Sequence, residues 1–125
     1  MAHILVAEDE RDIRELIEFT LNFAGHKVTL AANGADAVTL AQQVKPDLIL
    51  MDVRMPKLTG YEACRALKQI DAVKAIPVVF LSAKGMDDET STGLEAGAID
   101  YIVKPFSPDG LARRVGELLQ SVGAK

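Results

Sequence analysis

Five short apolar runs punctuate the chain: His3–Ala7, Lys27–Ala31, Asp47–Asp52, Pro77–Ser82 and Asp100–Lys104. Each has strand length, and between them apolar residues recur at helical spacing. After the first run, Ile13, Leu16, Ile17, Thr20, Leu21 and Ala24 form one stripe, and Gly25 stands where a helix would stop. After the second, Ala37, Val38, Ala41 and Val44 make a shorter stripe, with Asn33 as cap and Pro46 as stop. The third helix opens on Thr59-Gly60-Tyr61-Glu62, a capping-box pattern, and turns Ala63, Ala66, Leu67 and Ile70 inward. A fourth is expected over about Asp87 to Ala96, ended by Gly97, although Thr90, Ser91, Thr92 and Gly93 are poor helix formers. The last is capped by Ser107, starts on Pro108, and continues through Leu111, Val115, Leu118, Leu119 and Val122.

Strand and helix alternating five times predict an α/β fold, a parallel sheet with helices on both faces. Polar Lys27 and Thr29 alternate with Val28 and Leu30, which marks the second strand as an edge. Leu48–Met51 and Val78–Leu81 are apolar throughout, which marks the third and fourth as central. A doubly wound five-stranded sheet of order 2-1-3-4-5 with five helices satisfies both constraints.

Composition narrows the class. The chain has 125 residues, 49% apolar and 26% charged, enough for one domain over residues 1–125 with its own core. A net charge of −4 argues against direct nucleic-acid binding by this chain. No apolar run approaches the roughly 18–20 residues of a membrane span. Acidic Glu8-Asp9-Glu10 follows the first run, so no secretory signal is expected, and the single Cys64 has no internal disulfide partner. A soluble, cytoplasmic protein is the expectation. Cys64 reads as a small apolar residue on the third helix, and His3 and His26, both at strand starts, read as non-catalytic.

Position carries the functional signal. Four strands end at their carboxyl ends in a polar group: Glu8-Asp9 after the first, Asp52 on the third, Ser82 on the fourth and Lys104 on the fifth. That edge is where open parallel sheets bind ligands. Singly, each residue has a plain explanation: acids at a helix start, a turn former before Met55-Pro56, a cap, a solvated lysine. Together they assemble three carboxylates, a hydroxyl and an ammonium. Clustered carboxylates call for a divalent cation, and Mg2+ prefers oxygen ligands. Asp52 can act as nucleophile towards phosphorus, with Lys104 and Ser82 stabilising the transferred charge.

These residues resemble the receiver domains of bacterial two-component response regulators along essentially the whole chain. The resemblance rests on Ile4-Leu5-Val6-Ala7-Glu8-Asp9-Glu10, on Asp47 to Pro56 with Gly60, on Phe80-Leu81-Ser82-Ala83, and on Gly97-Ala98 with Asp100 to Phe106. It implies a flavodoxin-like fold and a phosphorelay switch. Asp52 would accept a phosphoryl group from a sensor histidine kinase or a histidine phosphotransfer protein. Glu8, Asp9, Asp52 and the backbone carbonyl of Arg54 would hold Mg2+. Lys104 would contact the phosphoryl oxygens, Ser82 would move towards them, and Tyr101 would be the switch aromatic. The Lys104–Pro105 bond would be cis, and Arg54 and Lys84 stand at positions that tune phosphoryl lifetime. The chain departs from many members in carrying Glu-Asp for Asp-Asp and Ser82 for threonine.

The segments Gly93–Gly97 and Pro105–Pro108 look most like receivers ahead of a winged-helix DNA-binding domain. Such receivers dimerise through salt bridges, for which Asp100 with Arg114 is one pair here. Thr90, Ile99, Gly110 and Gly116 stand where other charged partners are expected, which weakens that mode and leaves a weak or phosphorylation-dependent homodimer. Leu94, Tyr101, Arg113 and Arg114 form the expected signalling face, towards a downstream protein target or an effector domain. Rival readings are weaker. An aspartyl phosphatase would want an acid where Arg54 stands, and a dinucleotide or flavin binder would want a glycine- or hydroxyl-rich loop where Glu8-Asp9-Glu10 stands. A phosphorylation-independent interaction module is opposed by the intact Asp52, Lys104 and acid pair.

Overall fold

The computed structural model describes residues 2–53, 55, 58–83, 97–104 and 107–121. Its strands are β1 (His3–Ala7), β2 (Lys27–Ala31), β3 (Leu48–Asp52), β4 (Val78–Ala83) and β5 (Asp100–Lys104). The described helices are α1 (Arg11–Phe23), α2 (Gly34–Val44), α3 (Gly60–Lys68) and α4 (Pro108–Ser121). All four strand pairings are parallel and the order is β2-β1-β3-β4-β5. The helix expected over Asp87 to Ala96 lies outside the described residues.

Strand alternation splits the core into two layers. Leu5, Ala7, Ile49, Met51, Val78 and Phe80 meet Ala37 and Ala41 of α2 and Ala63, Cys64 and Leu67 of α3. Ile4, Val6, Leu48, Leu50, Val79 and Leu81 meet Ile17 and Leu21 of α1 and Leu111, Val115, Leu118 and Leu119 of α4. Leu16 departs from the expected inward stripe of α1: it is 39% exposed. Ile17, Thr20 and Leu21 complete the buried face, and Thr20 turns its hydroxyl back onto the Leu16 carbonyl at 2.7 Å.

Local chemistry sets the helix ends. Asn33 Oδ1 accepts from the Asp36 N–H at 2.8 Å. Thr59 and Glu62 form the full capping box, and Ser107 Oγ accepts from the Gly110 N–H at 3.0 Å. Gly25, at φ 97°, turns the chain out of α1 into β2, a conformation that strains any residue with a Cβ. His3 Nε2 lies 2.6 Å from Thr29 Oγ1 in the middle of β2, and His26 Nδ1 accepts from the Ala2 N–H, so both histidines make structural contacts between the β1 and β2 segments. Cys64 is buried, and burial pushes its thiol pKa up.

Candidate functional site

Register brings the acids together. Ala7 of β1 pairs with Met51 of β3, so the next residues, Glu8 and Asp52, stand level at the carboxyl edge of adjacent strands. Both have the parity of Val6 and Leu50, which places them on the α1 and α4 side of the sheet. Leu81 of β4 pairs with Asp52, and Ser82 follows it. Lys104 ends β5 opposite Ala83. Four strands thus deliver their polar ends to one edge, as the apolar runs implied.

Glu8 is 0% and Asp52 7% exposed, while Asp9 is open to solvent. Each of the three offers a carboxylate oxygen, and those oxygens lie within 4.8 Å of one another. Glu8 is buried more completely than an acid placed at a helix start requires. Its Oε2 accepts from the Glu10 N–H at 3.2 Å, and its own N–H reaches the Ala31 carbonyl of β2 at 3.0 Å. Asp52 Oδ1 accepts from the Val53 N–H at 2.9 Å, which fixes the carboxylate's orientation. A donor set of carboxylates, two of them withdrawn from water and all within a few ångströms, suits a hard divalent cation and no soft one.

Two glycines hold the segment after Asp52. The Gly60 N–H bonds the Val53 carbonyl at 2.9 Å, and a Cβ on Gly60 would lie 2.2 Å from the Asp52 carbonyl oxygen. A Cβ on Gly34, at the start of α2, would lie 2.0 Å from the Leu58 carbonyl oxygen. Only a residue without a Cβ permits these approaches. Sequence reasoning singled out Gly60 through its motif and overlooked Gly34, whose contact is with a remote loop.

Tyr101 is half-buried against the α2 and α3 layer and pairs in register with Phe80, onto whose ring Tyr61 packs edge-on at 5.3 Å. Arg113 is exposed and Arg114 half-buried. Arg114 bonds Asp100 within the same chain, and its Nη1 also lies 3.7 Å from Glu117. Asp100 and Arg114 are the two residues anticipated as a dimer pair, and in the single chain they bond to each other. Arg54, Lys84, Leu94 and the Lys104–Pro105 bond fall outside the described residues. Among the described residues, no helix is long and apolar enough to cross a membrane.

Comparison with known proteins agrees with this geometry. The family model for the response regulator receiver domain matches residues 4–116. A probable transcriptional regulator, ycf27, of Cyanophora paradoxa is 44% identical over 117 residues, covering 94% of this chain and 48% of the relative. The phosphate regulon transcriptional regulatory protein PhoB of Pseudomonas aeruginosa is 42% identical over 120 residues, covering 96% and 52%. The chain thus spans about half the length of the curated relatives it matches. Among solved structures, a putative response regulator from Chloroflexus aurantiacus superposes with a TM-score of 0.90 at 34% identity, covering 95% of this chain and 98% of that one. The chemotaxis response regulator CheY4 of Vibrio cholerae gives 0.89 at 34%, covering 95% and 99%.

Proposed function

The chain belongs to the response regulator receiver domains of two-component systems, and we propose that it is a phosphoacceptor switch acting through Asp52. The observation that carries this reading is the cluster of Glu8, Asp9 and Asp52 at the carboxyl edge of the sheet. In the proposed reaction Asp52 Oδ2 attacks the phosphorus of a phosphohistidine on a sensor histidine kinase or histidine phosphotransfer protein. The P–O bond to Asp52 forms as the P–N bond breaks, and the imidazole leaves with its electron pair and takes up a proton. The Val53 N–H holds Oδ1 and so aims the second oxygen.

Glu8, Asp9, Asp52 and the Arg54 carbonyl would hold Mg2+, with Asp9 the open, water-facing ligand. The ion, when bound, offsets the charge of the carboxylates and of the incoming phosphoryl oxygens. Lys104, at the end of β5, would supply the cation, and Ser82, on β4 between it and Asp52, a hydroxyl donor. In the phosphorylated state these groups favour one of two conformations, and Tyr101, on the edge strand, reports which is occupied. Arg54 and Lys84 set the lifetime of the acyl phosphate. Leu94, Tyr101, Arg113 and Arg114 present the output to a downstream protein or effector domain in the cytoplasm. Two named relatives are transcriptional regulators about twice as long as this chain, which supports an effector of that kind.

Intact-mass spectrometry tests this directly. Incubation with Mg2+ and a small-molecule acyl phosphate should give one phosphoryl adduct, absent in Asp52→Asn and without Mg2+. An equal adduct on Asp52→Asn removes Asp52 as the acceptor. No adduct from either a small donor or a kinase leaves the phosphorylation-independent module as the better reading.

A further inference from the structure

The acid pair Glu8-Asp9 sits on the short turn between β1 and α1, and something must fix that turn if two consecutive carboxylates are to meet a third from β3. The Glu8 N–H is bonded to β2 and the Glu8 side chain to the Glu10 N–H. The main-chain carbonyls of the pair are engaged by one side chain, Arg14. Its Nη1 donates to the Glu8 carbonyl at 2.9 Å and, more weakly, to the Asp9 carbonyl at 3.4 Å.

The placement of this arginine is otherwise unfavourable. It stands in the first turn of α1, at the positive end of the helix dipole, where acids are preferred. It also puts a fixed positive charge beside a cluster that is to hold a cation, which by Coulomb's law lowers cation affinity. What the side chain does there is geometric: a single terminal nitrogen of the guanidinium reaches both carbonyls and ties them together. We propose that Arg14 is a positioning residue for metal binding: by holding the carbonyls of Glu8 and Asp9 it fixes the turn that aims both carboxylates at Asp52. The inference rests on the Mg2+ reading of the acidic cluster and adds to it a residue that touches neither ion nor phosphoryl group.

The two roles of Arg14 pull in opposite directions, which makes the test one of sign. Mg2+ affinity is measured by isothermal titration calorimetry for the wild type, Arg14→Met, Arg14→Lys and Asp52→Asn, with far-ultraviolet circular dichroism as fold control. If Arg14 positions the turn, Arg14→Met binds Mg2+ about tenfold more weakly despite losing a repelling charge. Arg14→Lys, with the charge on a shorter side chain that reaches the two carbonyls less well, falls between Arg14→Met and wild type. The Mg2+ concentration for half-maximal phosphoryl uptake rises in the same proportion. Affinity that is unchanged or tighter in Arg14→Met overturns the proposal, because charge alone then describes Arg14. Should Arg14→Met fail to fold, Arg14→Lys decides: affinity equal to wild type overturns the positioning role. A wild type that binds no Mg2+, or binds it equally after Asp52→Asn, overturns the metal reading itself and the positioning role with it.

Discussion

Alanine at position 34 sets two effects of opposite sign against each other. Gly34 is the first residue of α2, directly after the Asn33 cap, and its φ is not in the left-handed region. Helix propensity alone therefore favours Gly34→Ala by up to about 1 kcal/mol. Packing opposes it. The added Cβ would lie 2.0 Å from the Leu58 carbonyl oxygen, 2.8 Å from its carbon and 2.9 Å from the Leu58 Cβ. Ordinary contact requires a retreat of roughly 1 Å or more, and the obstacle is backbone, so no rotamer change relieves it. Overpacking of this kind costs about 1–3 kcal/mol, and here the upper end applies because Leu58 is half-buried against the core and followed by the capping box of α3.

The net expectation is destabilisation by about 2 kcal/mol, which for 125 residues is a fall in unfolding midpoint of roughly 8 °C. Gly116→Ala is the matched control. Gly116 lies inside α4 with nothing within 4 Å of the added Cβ, so propensity acts unopposed and stability should rise by about 0.5–1 kcal/mol. Urea titrations of the two variants and wild type at equal m-value give both numbers. A Gly34→Ala protein as stable as wild type, beside a stabilised Gly116→Ala, would refute the argument that the Leu58 backbone cannot yield.

Three further outcomes are expected. Mg2+ at about a hundred times its dissociation constant should stabilise the fold by about 2.7 kcal/mol, seen as a midpoint rise reversed by chelator and much reduced in Glu8→Gln; a midpoint indifferent to Mg2+ contradicts the metal reading. His26, its pKa held below the ordinary 6.5 first by burial and then by the nearby amino terminus, binds fewer protons folded than unfolded. Its contribution is therefore constant above 6.5 and lost as pH falls below it, so His26→Gln should lose less stability than wild type between about pH 7.5 and about pH 5.5 in urea titrations; parallel losses would exclude it. Cys64, buried and with a raised thiol pKa, should resist Ellman's reagent in the native state and react promptly in denaturant; rapid native labelling would show that α3 opens readily.

Much of this protein was legible in its sequence because the deciding interactions are short-range or periodic. A capping box needs only residues 59 and 62, an Asn cap only 33 and 36, and both formed as read. The two-residue period of a strand, which needs no partner, puts Leu5 and Ala7 on one face and Ile4 and Val6 on the other. The polar strand ends at Glu8, Asp52, Ser82 and Lys104 followed from where the apolar runs stop. Leu16 failed because a stripe of apolar residues fixes the helix face only to within one position, and Ile17 and Leu21 took the centre.

The tertiary structure decided what depends on atoms every residue shares. Any arginine can donate to a carbonyl and every residue has one, so nothing in the sequence pairs Arg14 with Glu8 and Asp9. A glycine omits a side chain without stating what comes close, so Gly34 against Leu58 appeared only once α2 lay beside the β3–α3 loop. Asp100 and Arg114 were readable as oppositely charged, but that they bond within the chain depends on where α4 lies relative to β5. The burial of Glu8 and its level meeting with Asp52 came from the register of β1 on β3, set by side chains packed along the whole length of both strands.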